Sequence, residues 1–136
     1  MTEHKIFVIG GEDDEFGVMT RLRSAESCHL SFLFRGRRIE ATADDFFEAF
    51  CQIRMELEKE SIIPFCYGAS LNVYPSRMSR QMAGGMVAYR LTHGEPAKER
   101  VSIFDEGMDV APSSIENQKA FFADWLASLG SPGGPH

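Results

Sequence analysis

A chain of 136 residues, 43% apolar and 25% charged, suffices for one domain that buries roughly two-thirds of its unfolded surface, and is not the composition of a disordered segment. Twenty acidic against 14 basic residues leave a formal net charge of -6, which argues against non-specific nucleic-acid binding. Cys28, Cys51 and Cys66 make no C-x-x-C pair and sit in apolar runs, the usage of a reducing cytosol, and no apolar stretch approaches a secretory leader or the roughly 20 residues that cross a bilayer. A cytoplasmic protein without membrane or nucleic-acid partners is expected.

Ile6 to Ile9 reads as a first short strand, closed by Gly10-Gly11 and the acidic turn Glu12 to Glu15. Val18 to Arg23 alternates Val18, Thr20 and Leu22 against Met19, Arg21 and Arg23, the period of a strand with one wet face. Leu30, Phe32 and Phe34 alternate likewise. Arg35-Gly36-Arg37 supplies a turn, and Arg38 to Ala41 returns as the second arm of a hairpin.

The next segment, about 43–60, predicts a helix capped by Thr42, with Asp44 and Asp45 in the first turn where the dipole favours anions. Phe46, Phe50, Ile53 and Leu57, widened by Phe47 and Cys51, form its apolar stripe, and Pro64 forbids continuation. Ala69 to Tyr74 is strand-like until Pro75. Ser76 then caps a short helical insert near 77–83, with Met78 and Met82 on its inner face, Arg77 and Arg80 on its outer one, and Gly84-Gly85 at its end. Met86 to Leu91 and Val101 to Phe104 read as two further strands. Ser113 with Glu116 makes a capping box for a closing helix over about 114–129 that buries Ile115, Phe122, Trp125, Leu126 and Leu129.

The expected fold is therefore a single α+β domain over 1–130, one mainly antiparallel sheet of about six strands with two main helices packed on it. The Gly- and Pro-rich residues 131–136 read as a flexible tail.

Chemistry is harder to find. Gly10-Gly11 lacks the third glycine and the helix opening of a dinucleotide fingerprint. His4, His29, His93 and His136 share no helix face and the cysteines are unpaired, so neither a metal nor another cofactor is expected. Cys66, Ser76 and Ser79, with His93 and Asp105, could notionally assemble a nucleophile set, but no nucleophile elbow holds them, and no catalytic residue is assigned.

The candidate binding residues are Asn72, Tyr74, Arg77, Arg80 and Gln81 in the acid-free insert, and the acids Asp105, Glu106 and Asp109 in the loop after the last strand. The two arginines would anchor either a carboxylate-rich partner or an internal acidic loop. The acids, with Glu12 to Glu15, would face a basic partner or simply solvent.

The run GASLNVYPSRMSRQMAGGMVAYRL, followed by IFD and later by Asn117-Gln118, Phe121-Phe122 and Trp125-Leu126, resembles small bacterial proteins encoded beside polymorphic or type VI secretion toxins. The resemblance spans Ile63 to Gly130, and its most specific part is the N-V-Y-P-S-x-M-S-R-x-M-x-G-G core from Asn72 to Gly85. It implies an immunity protein that binds a cognate toxin acting in the cytoplasm and occludes its active site, with no chemistry of its own. It implies a mode of action more than a target, because such proteins share a scaffold while their toxins differ. A small-molecule-binding or regulatory module, and a small enzyme, are the alternatives.

Overall fold

A computed structural model describes residues 1–130, and the tail expected at 131–136 lies outside the described residues. Strands β1 (Thr2–Ile9), β2 (Phe16–Arg23), β3 (Cys28–Phe34), β4 (Arg37–Ala43) and, after helix α1 (Phe46–Glu58), β5 (Ile63–Pro64) form a curled antiparallel sheet in the order β4-β3-β2-β1-β5. A 3₁₀ turn at Tyr67–Ala69 leads to a three-stranded ribbon of β6 (Val73–Tyr74), β7 (Val87–Arg90) and β8 (Glu99–Ser102). Helix α2 (Arg77–Met82) is inserted between β6 and β7, and α3 (Ile115–Leu129) closes the chain.

The fold is thus a small single α+β domain, but with two sheets where one of about six strands was expected. The reason lies between Ile63 and Tyr74. Pro64 ends β5 after two residues beside β1, where Val8 opposes Pro64. The 3₁₀ turn then takes Tyr67–Ala69 out of the extended conformation, so the strand expected from Ala69 contracts to Val73–Tyr74 and starts a new ladder.

The inner face of the first sheet carries Ile6, Met19, Leu30, Phe32 and Phe34, none more than 1% exposed, and packs on α1. The helix stripe is buried as its spacing predicts, Phe46, Phe47, Phe50, Ile53 and Leu57 all included. Its cap differs. Thr42 is still in β4, opposite His29, and Asp45 accepts the Glu48 amide at 2.8 Å instead. Likewise Ser114, not Ser113, caps α3, accepting the Asn117 amide at 3.1 Å, while Glu58 of α1 accepts the Ile115 amide. Leu126 is exposed, and the buried residues of α3 are Trp125 and Gln118.

Gln118 and Arg54 form a polar hub inside the core, each 1% exposed. The Arg54 guanidinium donates to Gly68 O (3.1 Å), Ser113 O (2.9 Å) and Gln118 Oε1 (2.6 Å). The Gln118 amide in turn shares its two N–H groups among Gly68 O, Ser70 O and Val73 O. Among the described residues no carboxylate touches the buried guanidinium. Its charge is spread over carbonyl dipoles, and burial lowers its pKa from the ordinary arginine value. Two side chains thereby join α1, the 3₁₀ turn, β6 and the start of α3.

All three cysteines are buried, and burial pushes the Cys66 thiol up to about 12. Cys28 and Cys51 are raised by the same cause. No thiol is expected to take iodoacetamide in the native protein at pH 8, whereas mass spectrometry after unfolding in urea should show all three modified. Because the folded-state values lie above the unfolded ones, the stability tied to the neutral thiols is complete below about pH 8.5 and falls as pH rises further. Among the described residues no helix is long and apolar enough to cross a membrane.

Candidate functional site

The residues singled out in the sequence separate into scaffold and surface. Arg80 belongs to the scaffold. Its guanidinium lies 3.1 Å from Asp45 Oδ2 and over the rings of Phe47 and Tyr74, at 5.1 and 5.6 Å. Tyr74 itself stacks on Phe122 at 4.1 Å, and burial raises its hydroxyl pKa. Asn72 accepts the Ser70 hydroxyl and, through its carbonyl, the Leu91 amide. Arg77 and Gln81 are exposed.

Helix α2 is consequently rotated from its expected orientation. Ser79 and Arg80 face inward, and Met78 and Met82 are 68% and 78% exposed. The rotation follows from the competition between one charge and two thioethers. Asp45, already placed by its capping role, offers Arg80 a nearly buried counter-charge, whereas the methionines give up little by staying wet. Gly85, at φ +75°, lets the chain pass so close to Asp45 and the Phe47 amide that a Cβ would sit 2.9 Å from Asp45 Oδ1. Arg80→Ala is expected to lower the thermal midpoint by several degrees, about 1–2 kcal/mol, and Arg77→Ala to leave it unchanged, as circular dichroism melts would record.

The acidic loop divides too. Asp109 accepts the Tyr67 hydroxyl at 2.6 Å and pairs with Arg90 Nε at 2.6 Å. The Tyr67 hydrogen bond first, then its own backbone amide and Arg90, hold its carboxyl below the usual range. Asp105 and Glu106 are exposed. Tyr89 lies beside Met78 and Met82, whereas Arg90, its neighbour on β7, reaches Tyr67 and Asp109. The basic insert and the acidic loop therefore address opposite faces of one strand and do not make one surface. The notional nucleophiles are apart as well. Cys66 is buried, Ser76 is occupied as the cap of α2, His93 is exposed, and among the described residues no hydrogen bond joins them.

One uncovered surface was announced by no motif: the outer face of the five-stranded sheet. The strand registers place Phe7 opposite Phe16, Lys5 beside Val18, Leu33 and Arg38 in one row, and Glu3 beside Thr20, Ser31 and Glu40 in the next. Leu22, His29 and Thr42 continue that face. Ile9, Phe16, Leu22 and Leu33 are between 43% and 53% exposed, because α1 covers only the opposite side.

Two grooves mark this face. One, of about 510 Å³, runs over Val18, Leu22 and Leu33 towards Arg38 and Glu40. The other, of about 320 Å³, is lined by Phe7, Ile9 and Phe65 and rimmed by Asp14, Glu15 and Glu106. The second groove brings together acids from both candidate acidic loops. Glu15 is engaged by Arg35 at 2.5 Å, which lowers its pKa, while Asp14 and Glu106 carry no ion pair among the described residues. Lys5 bridges the aromatic pair, 4.2 Å from the Phe16 centroid and 5.0 Å from that of Phe7.

Among the described residues no group of three or more His, Cys, Asp or Glu side chains is arranged to hold a metal ion. The signal for the open face was present in the alternation of Val18, Thr20 and Leu22, but alternation alone does not say which side a helix will cover. No protein-family model and no curated protein matches the chain.

Proposed function

We propose that this protein is an immunity-type inhibitor that binds a secreted toxin in the cytoplasm with the outer face of its five-stranded sheet and neutralises it by covering its active site. The observation that carries the reading is the uncovered apolar face, with Ile9, Phe16, Leu22 and Leu33 all roughly half-exposed and a groove at each end. Half-exposed apolar side chains gathered on one uncovered sheet face, with polar rows between them, are the kind of surface a partner covers. Aromatic and aliphatic anchors ringed by charge are the composition of an interface centre. Asp14 and Glu106, with the chain's net charge of -6, favour a partner that presents basic groups there.

The resemblance to immunity proteins fits this division of labour. Its most specific run, Asn72 to Gly85, supplies structural parts: the Tyr74 stack, the Ser76 cap, the Arg80–Asp45 pair and the Gly84-Gly85 turn against the start of α1. The proposed interface lies outside that run, almost wholly within residues 1–65, where different targets can be met without altering the scaffold.

The test is growth rescue. Co-expression with the catalytic domain of the toxin encoded beside it should restore growth of a bacterial host, and the two purified proteins should form a stable complex. A toxin that kills equally well in the presence of the folded protein would overturn the proposal. The 510 Å³ groove also falls within the size range of small-molecule sites, so thermal shift by a metabolite panel, with no protein complex formed, would favour the regulatory-module reading instead.

A further inference from the structure

We infer that two copies of this chain associate through the free edge of β4, in one antiparallel register centred on Ile39. β4 ends the strand order, and among the described residues nothing pairs with its outer edge. The other end of the sheet is guarded by a two-residue strand containing Pro64, but β4 offers seven residues with no proline.

The ladder phase fixes which backbone groups are free. The turn between β3 and β4 has two residues, Arg35 and Gly36, at φ +53° and +75°, so Phe34 and Arg37 form the hydrogen-bonded pair that closes the hairpin. Counting from there, Arg37, Ile39 and Ala41 direct their N–H and C=O groups to β3. Arg38, Glu40 and Thr42 direct theirs outward.

A second β4 can meet those groups antiparallel in few ways. Centring the two-fold axis on Glu40 would set Glu40 against its own copy, and centring it on Arg38 would do the same with arginine. Centring it on Ile39 places Arg38 opposite the partner's Glu40 and Glu40 opposite the partner's Arg38. Those residues are also the ones whose backbone groups point outward, so charge and hydrogen bonding select the same register. Both side chains lie on the sheet's outer face, where their present neighbours are polar residues of β3: Arg38 donates to Ser31 Oγ at 2.7 Å, and Glu40 lies 3.0 Å from His29 Nε2.

Charges on an edge strand commonly serve only to repel other strands. This edge instead carries opposite charges spaced two apart, which makes it complementary to itself. The third nearby cation, Arg37, is already paired with Glu60. The product would be a continuous sheet across the two-fold axis, with both open faces on one side.

The experiment is analytical ultracentrifugation of the full chain. A short edge contact lies at the low end of specific interfaces, so a dimer is expected at about 100 μM that dissociates on dilution towards 1 μM. Arg38→Glu alone and Glu40→Arg alone should each be monomeric, because like charges then face one another. Mixing the two single variants should restore a heterodimer, as should combining both changes in one chain. A wild type that stays monomeric at 100 μM, single variants that still dimerise, or a mixture that does not, would each overturn the register. Should a reversed variant not fold, oxidised Ile39→Cys gives an independent reading. Ile39 faces its own copy in a non-hydrogen-bonded pair, about 4.5 Å between Cα atoms, within disulfide reach. A covalent dimer on non-reducing gels supports the edge contact, and none excludes it.

Discussion

Gln118→Ala is expected to lower the thermal midpoint by roughly 10 °C, the largest stability loss of any single change on α3. The side chain is 1% exposed, accepts a hydrogen bond from Arg54, and shares its two amide N–H groups among the carbonyls of residues 68, 70 and 73. Truncation leaves Val73 O without its buried donor, leaves Ser70 O with the Val73 amide alone, and removes one of the acceptors that offset the Arg54 charge. A buried polar group left unpaired costs about 1–3 kcal/mol, and more beside a charge, so a total of about 3 kcal/mol is the conservative sum. Gln118→Glu separates the two roles. It keeps and strengthens the acceptor facing Arg54 but loses the amide that satisfies the carbonyls, so its loss should be smaller than that of alanine yet clearly measurable. A Gln118→Ala protein that melts within 2–3 °C of wild type would mean that the hub holds nothing together.

If the proposed toxin is the partner, Phe16→Glu combined with Leu33→Glu is expected to weaken its binding at least a hundredfold while leaving the fold intact. The two residues are 44% and 43% exposed and belong to the uncovered face, so their replacement costs the free protein some surface contact but no core packing. In a complex each would carry an unpaired carboxylate into the desolvated centre of the interface, and a hundredfold change is only about 2.7 kcal/mol, within the range of hot-spot losses. Met78→Glu with Met82→Glu is the control. Those side chains are more exposed still, but they lie on α2, away from the sheet face. Isothermal titration of both double variants against the toxin domain, with melts of each alone, checks the expectation. Equal affinity for the sheet-face variant and wild type would place the interface elsewhere.

The contrast between the two methionines and Arg80 shows where the sequence stopped being legible. Helical spacing put Met78 and Met82 on one face and Arg77 and Arg80 on another, and the helix, its Ser76 cap and its glycine end all formed as that spacing implies. Which face turns inward was decided 35 residues away by Asp45, a residue whose own position depends on where α1 begins. Arg54 was equally hidden. On a helix with an apolar stripe an arginine reads as solvated, and only its acceptors, contributed by residues 68, 113 and 118, make its burial tolerable. The hairpin at Arg35-Gly36 and the stripe of α1 were legible because both follow from local rules of turn conformation and period. The open sheet face was not, since an uncovered strand and a covered one carry the same alternation until it is known that α3 packs against the ribbon and α1 instead.

Methyl-resolved NMR of the protein titrated with the proposed toxin partner tests the proposed interface most directly. The methyl signals of Ile9, Val18, Leu22 and Leu33 should shift or broaden as the complex forms, while those of Met78 and Met82 stay where they are. Movement confined to Met78 and Met82, with the four sheet-face residues unperturbed, would contradict the assignment and move the binding surface to α2.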